Sequence, residues 1–400
     1  MRGSQWPRET LSKACTINPR LPKTHGLADD DVVTFVPMAA VDEVGGRIAN
    51  PQVRPFSVVR KGFTHFQDGD VLFAKITPCM ENGKAAIAGE LLGGHGFGST
   101  EFHVLRPHPH VLPEWIFYFV RRQSFRAEAK RNFTGTAGQQ RVPTTFMSST
   151  LLPVPPLEEQ RHIVDILSRA EGIVRLRREA QKKAAELIPA LFIDMFGDPV
   201  TNPKGWKTEL LGSVGTLDRG KSRHRPRDAA ELYGGSYPFI QTGDVANSDG
   251  RIKQYKTTYS ELGLSQSRLW PVGTLCITIA ANIAKTGVLE FGSCFPDSVV
   301  GFLPGDQVKT EYVQAWLGFL QPMLEAKAPQ AAQKNINLEI LRGLPIPMSP
   351  LALQEHFEER CRNIFSIQSQ QAVATEQAQA TFDVLLARIF SQSQPGPAYD

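Results

Sequence analysis

Residues that build metal clusters or disulfide frameworks are scarce in this chain. Five cysteines (Cys15, Cys79, Cys276, Cys294, Cys361) are spread over 400 residues, none at CxxC spacing. Their odd number and wide spacing argue against a zinc site or a disulfide scaffold, and a reducing compartment fits. The nine histidines are scattered, and the His108-Pro-His110 pair reads as an exposed loop. No run of 18 apolar residues occurs, so a membrane-spanning helix is not expected. The first residues, MRGSQWPRET, lack the apolar core of a signal peptide, which points to a cytoplasmic protein. Neither sign of charge dominates: 44 basic against 40 acidic residues leave a net +4. That balance permits an anionic partner without demanding one. Methyltransferase chemistry is not expected either. No glycine-rich cofactor loop follows a good strand, and no Asn/Asp-Pro-Pro-aromatic motif is present.

What the chain does contain is an internal repeat of about 200 residues. Trp6 and Leu11 are answered by Trp206 and Leu211. FVPMAAVDEVGGRI (35–48) matches FIQTGDVANSDGRI (239–252) without a gap. Glu114-Trp115 returns as Glu311-Tyr312, Glu128-Ala129-Lys130 as Glu325-Ala326-Lys327, and Gln140-Arg141 as Gln333-Lys334. LPVPPLEEQ (152–160) then answers LPIPMSPLALQ (344–354). The shared order matters more than any single match, because it implies two copies of one folded module.

Each copy begins with short apolar runs bounded by Gly, Pro, Asp and Asn: VVTFV, DVLFAKI, TLCITIA, VVGFL. These read as strands and turns, and GHGFG (94–98) as a glycine-rich turn. Each copy ends in helical pattern: PEWIFYFVRRQSFRAEAKR as one stretch, and TEYVQAWLGFLQPMLEAK with Pro322 expected to interrupt it. A proline-marked turn then leads into a long helix. The central one is expected to run unbroken from Pro153 to Gly197-Asp198-Pro199, with Pro189 as a kink point, and the second from about 351 to 391. Apolar residues recur at steps of four and three along both. The first seam includes Ile163, Leu167, Val174 and Ile188; the second includes Phe357, Ile364, Phe382 and Leu385. Both seams are polar or small in the middle, so they would match if laid antiparallel.

Several patterns could carry chemistry. GTLDRGKS (215–222) fits the phosphate-binding loop consensus letter for letter, but the following Arg223-His-Arg225-Pro-Arg227 is a poor helix start. It reads better as a basic loop, with Arg219, Lys221, Arg223, Arg225 and Arg227 suited to phosphate contact. Asp297 with Glu325 and Lys327 resembles a nuclease pattern. The Glu-Ala-Lys tripeptide repeats at 128–130, so module duplication explains it better. An autonomous Mg-dependent nuclease or NTPase is the alternative these motifs leave open. Two polar stretches at matched positions, TGTAGQQR (134–141) and QAAQKNIN (330–337), hold side chains that read base edges. Candidate DNA contacts there are Gln139, Gln140, Arg141, Gln333, Lys334 and Asn335, with Lys75 added from the DVLFAKI run.

The tandem half-repeat, PLEEQRHIVDIL (156–167), its echo PLALQEHFEER (350–360), and GDPVTNPKGWKTELLGSV opening the second half resemble the specificity (S) subunits of type I restriction–modification systems. The resemblance covers essentially the whole chain. It implies an α+β fold with two tandem target-recognition domains, at 1–152 and 200–346. It further implies antiparallel spacer helices at 153–199 and 347–393, forming a coiled coil, before a short tail (394–400). The same resemblance implies that the chain itself is non-catalytic and binds no cofactor. Two methyltransferase subunits, and restriction subunits where present, would dock on it and use S-adenosylmethionine, ATP and Mg on double-stranded DNA.

Overall fold

The computed structural model describes residues 6–136, 138–280, 283–327 and 336–391. Contacts divide the chain into two units, Met1–Glu179 with Ala372–Asp400, and Ala180–Gln371.

In the first unit, strands Cys15–Ile17, Phe102–Pro107, Val71–Ala74 and Ala85–Ile87 form an antiparallel sheet in that order. A second sheet places Gln52–Pro55, Val32–Val36, His95–Gly98 and Thr64–Gln67 side by side, with Val32–Val36 and His95–Gly98 parallel. The GHGFG stretch is therefore largely strand rather than turn. Its glycines are required by packing: a Cβ on Gly96 would lie 2.2 Å from the Phe66 ring, and one on Gly98 2.5 Å from the Val36 carbonyl oxygen.

The second unit repeats the first sheet in the same order: Gly215–Arg219, Val299–Pro304, Leu275–Thr278, Thr286–Leu289. Arg251–Ile252 is added parallel at the edge. Its counterpart of the second sheet is reduced to the hairpin Tyr233–Phe239/Thr257–Tyr259 with isolated bridges at Phe239–Cys294 and Trp270–Ser293. Each unit also zips its start to its end. Arg8–Thr10 pairs with Leu151–Pro153, and Thr208–Leu210 pairs with Pro345–Pro347, both antiparallel.

The helical stretches reverse two sequence expectations. The first copy's helix, expected to be continuous, breaks into Pro113–Arg121 and Gln123–Arg131. Arg122 leaves helical geometry (φ −57°, ψ 138°), its Nε donates to the Phe119 carbonyl at 3.1 Å, and its guanidinium stacks 4.1 Å over the Phe119 ring. The second copy's helix runs unbroken as Thr310–Lys327 with Pro322 inside it. Proline removes only one ladder bond here, while Leu320 and Leu324 on either side are buried in the core.

The central helix departs in the other direction. Leu157–Ala185 and Leu187–Phe196 are separate segments, divided at Glu186. Pro189 offers no N–H to the Ala185 carbonyl, and the Glu186 N–H turns to Lys183 O at 3.1 Å. The second segment tolerates Pro189 in its first turn, where N–H groups have no intrahelical partner anyway. It stops at Gly197, whose φ of 80° suits a residue without Cβ. The terminal helix, Leu351–Ser391, is continuous.

Both long helices join the cores. In the first unit Ile163, Leu167 and Val174 share one cluster with Phe382, Leu386, Phe390 and Trp115. Trp115 and Phe390 lie 4.7 Å apart, centroid to centroid. In the second unit Leu191, Phe192 and Phe196 share a cluster with Phe357, Cys361 and Tyr312, with Phe196 and Tyr312 4.8 Å apart. Ile188 and Ile364 pack at its margin. The expected position Leu385 is only partly buried; Leu386 is the inward residue. From Phe382 onward the buried face follows steps of four toward Trp115, rather than the alternating four-and-three of a strict heptad. Ile163, Leu167, Val174, Phe357 and Phe382 thus face their own unit's interior, while Ile188, Ile364 and Leu385 are only partly covered.

The recurring Pro-Leu-x-x-Gln has a physical role in both copies. Gln160 is fully buried; its Oε1 accepts from Leu112 N (2.9 Å), and its Nε2 donates to His110 O (2.9 Å) and Pro155 O (2.8 Å). Gln354, also fully buried, accepts from Lys309 N (3.0 Å) and donates to Gln307 O (3.3 Å) and Ser349 O (2.9 Å). One side chain thus ties the first turn of each long helix to the loop that leads into Pro113–Arg121 in one copy and Thr310–Lys327 in the other. The residues that differ between the copies take no part in these bonds: Glu158, opposite Ala352 in the other copy, is exposed and pairs with Arg161.

Candidate nucleic-acid interface

In the first unit the polar stretch folds back on itself. Thr134 and Arg141 exchange both backbone hydrogen bonds (3.0 and 2.9 Å), and Gln139 N bonds Thr136 O (3.0 Å). Gly135 lies at φ 110°, with a hypothetical Cβ only 3.0 Å from Gln139 O, so the two limbs close tightly because residue 135 has no side chain. This hairpin is stitched to the sheet edge: Thr77 N donates to Gln140 O (3.0 Å), and Val142 N donates to Lys75 O (2.9 Å).

Arg141 sits at the centre. Its Nε and Nη2 contact the Glu101 carboxylate at 2.9 and 2.8 Å, and its Nη1 donates to Gln139 O at 2.8 Å. These hydrogen bonds hold the Glu101 carboxyl below the usual range and push the Arg141 guanidinium up. Lys75 lies half-buried beside this pair. A second anchor lies below: Glu81 accepts from Thr77 Oγ1 (2.5 Å) and pairs with Lys130, the lysine of the repeated Glu-Ala-Lys. Among the described residues, the Gln139 and Gln140 amides have no hydrogen-bond partner, and Gln139 is exposed.

The second copy shifts the expected correspondence by one. Ile336 N bonds Ile279 O at 3.0 Å, as Val142 N bonds Lys75 O. By chain count Asn335, not Lys334, then answers Arg141. Gln333, Lys334 and Asn335 themselves lie outside the described residues.

The phosphate-loop consensus does not form a phosphate loop. Its first five residues are strand Gly215–Arg219, and no helix follows. Both glycines serve packing: a Cβ on Gly215 would approach the Phe302 ring at 2.4 Å, and one on Gly220 the Phe295 carbonyl oxygen at 2.1 Å. The nuclease pattern is not assembled either. Asp297 pairs with Arg227 at 2.9 Å, while Glu325 is exposed and meets Gln321 one turn away.

The basic loop is exposed but held from beneath. Gln266 Oε1 accepts from the backbone N–H groups of Arg223 (2.5 Å) and His224 (3.0 Å), and Ser267 Oγ donates to Lys221 O (2.8 Å). Arg225 turns its guanidinium onto the Ser222 and His224 carbonyls, both at 2.8 Å. Among the described residues, no carboxylate lies within ion-pair distance of Arg219, Lys221 or Arg223. These three cations are free for an external anion; Arg225 and Arg227 are partly committed. His108 and His110 are loop ties, to Lys13 O (2.8 Å) and Glu9 (2.7 Å).

A family model described as the type I restriction modification DNA specificity domain matches residues 11–186 and 203–367. The chain belongs to this family. The two matched segments coincide with the two copies of the repeat. Within the specificity family, a stretch of 165 residues is 39% identical to the type I restriction enzyme EcoEI specificity subunit of Escherichia coli. That match covers 41% of this chain and 27% of the relative, so the chain spans about a quarter of the length of that curated relative. A solved structure described as the structural basis underlying complex assembly and conformational transition of the type I R-M system shares the fold. It has a TM-score of 0.61 at 23% identity over 98% of both chains. The type I restriction-modification system S subunit from M. genitalium superposes with a TM-score of 0.53 at 13% identity, over 96% of each chain.

Sequence reasoning missed Glu101, Gln266 and the burial of Gln160 and Gln354. Only the last pair left a signal, a glutamine recurring at matched positions. No helix among the described residues is long and apolar enough to cross a membrane.

Proposed function

We propose that this chain is the DNA-specificity subunit of a type I restriction–modification complex. Each α+β block reads one half of a bipartite duplex target. The long helices form an antiparallel coiled-coil spacer that sets the gap between the halves. The observation that carries this reading is the duplicated construction. Two copies of one mixed module, each ending in the same glutamine-tied turn, lead into long helices, and the specificity-domain model matches both.

At about 1.5 Å per residue, the 41-residue terminal helix extends roughly 60 Å. That is more than the ~34–36 Å separating half-sites one DNA turn apart. Lys221, Arg223 and Arg219 supply salt-dependent phosphate contacts. The chain contributes recognition and no chemistry. Methyltransferase subunits bring S-adenosylmethionine, restriction subunits bring ATP and Mg, and the assembly works in the cytoplasm. These subunits dock along the long helices, where Ile188, Ile364 and Leu385 remain partly uncovered.

Single-molecule methylome sequencing of a host carrying the methyltransferase partner, with and without this chain, tests the proposal. A two-part methylated motif that depends on the chain is expected; a continuous, undivided motif would sink it.

A further inference from the structure

Within the hairpin at 134–141, Arg141 is the side chain suited by type to read guanine, which it would do through a two-pronged N–H contact. Its geometry says otherwise. The Nε–Nη2 edge that would form that contact already clasps Glu101 at 2.9 and 2.8 Å, and Nη1 is turned onto Gln139 O at 2.8 Å. The carboxylate also cancels its charge locally. What Arg141 does instead is brace the hairpin: its guanidinium holds the Gln139 carbonyl, while the sheet edge at Thr77 holds that of Gln140 at 3.0 Å. Both glutamines are thus fixed in the main chain, while their amides have no partner among the described residues. A carboxamide matches the N7 acceptor and N6 donor of adenine.

We infer that Glu101 and Arg141 are positioning residues, and that Gln139 and Gln140 read an A·T base pair in the half-site of the first unit. This rests on the specificity-subunit reading above. Glu101 acts only through Arg141, and Arg141 only through the hairpin it closes. Fixing the backbone matters because an amide pair on a rigid turn loses less side-chain freedom on binding than one on a loose loop.

The test uses the full chain assembled with its methyltransferase partner, reading the methylated motif and competition between duplexes altered at single base pairs. Thermal midpoints are taken alongside. Gln139→Ala and Gln140→Ala, at an exposed and a half-buried position of the hairpin, are expected to lower discrimination at one A·T pair about tenfold to hundredfold. Glu101→Gln and Arg141→Met should relax the same pair. Arg141→Lys should not rescue it, since an ammonium keeps the charge but cannot hold Glu101 and Gln139 O together. The second half of the motif should stay unchanged throughout, which a general loss of folding would not produce. The inference is overturned if Arg141→Met removes a base preference that Glu101→Gln and both glutamine variants leave intact, for then Arg141 reads directly. It is equally overturned if no variant alters the motif. A continuous motif with the unaltered chain would instead remove the specificity-subunit reading, and this inference with it.

Discussion

Replacing Gln160 by Ala should destabilise the protein out of proportion to the size of the change. The side chain is fully buried and satisfies three backbone groups: Leu112 N–H, His110 C=O and Pro155 C=O. Leaving a buried polar group unpaired costs about 1–3 kcal/mol. The orphaned N–H is put at about 2 kcal/mol and the carbonyls, which keep a second lone pair, at about 1 each, giving ~4 kcal/mol. For units of this size that corresponds to a fall in melting temperature of roughly 8–16 °C. The assay is thermal unfolding of the full chain, with amide exchange at Leu112 as the local readout. A local loss of even ~3 kcal/mol speeds exchange there by roughly a hundredfold. Gln354→Ala should cost somewhat less, because its contact to Gln307 O is 3.3 Å long. Glu158→Ala, at an exposed ion pair with Arg161, should change stability by less than about 0.5 kcal/mol. If Gln160→Ala melted within about 2 °C of the unaltered protein, the helix-tying role would be refuted.

Other expectations concern the loop, the spacer and pH. Lys221→Ala with Arg223→Ala should weaken DNA binding on all sequences and flatten its salt dependence by about two counter-ions, read as the slope of log K against log salt. Gln266→Ala, which removes the acceptor for the Arg223 and His224 backbone N–H groups, should weaken binding in the same way but more mildly. Inserting four residues next to Ala372 adds about 6 Å and roughly one helical turn, so the gap in the methylated motif should change while both halves persist. Pro189→Ala should alter stability by less than about 1 kcal/mol, since the proline already sits where an N–H has no helical partner. His103 is buried, donates from Nε2 to Val142 O at 2.8 Å, and is pushed down to about 4 by desolvation; burial also lowers His65 to about 4. Between pH 6.5 and 4 the unfolded chain takes up protons that the folded chain declines. Stability should therefore fall as pH drops through that window, by on the order of 2–3 kcal/mol for His103. Denaturant midpoints across pH measure this, and His103→Gln should remove part of the slope.

The amino-acid sequence by itself determined the duplication, the alternation of short strands and long helices, and the family. The strand and helix pattern depends on periodicity and turn chemistry, which are local; the duplication and the family rest on ordered matches and motifs along the chain. It also carries Gln160 and Gln354 at matched positions, a recurrence whose meaning, a side chain bound to backbone groups, only the structure showed. What it left open needed partners distant in the chain. The phosphate-loop consensus at 215–222 became strand because Val299–Pro304 pairs with it. Arg122 breaks its helix by stacking on Phe119 and Phe390, the latter 268 positions away in the chain, whereas Pro322 stays helical because its neighbours are buried in a core. The Arg141 guanidinium is already clasped only because the fold brings Glu101 within 2.8 Å of it across 40 positions of chain. Local sequence sets which elements can form; tertiary contact decides which donors are already engaged, and so which side chains remain free to bind.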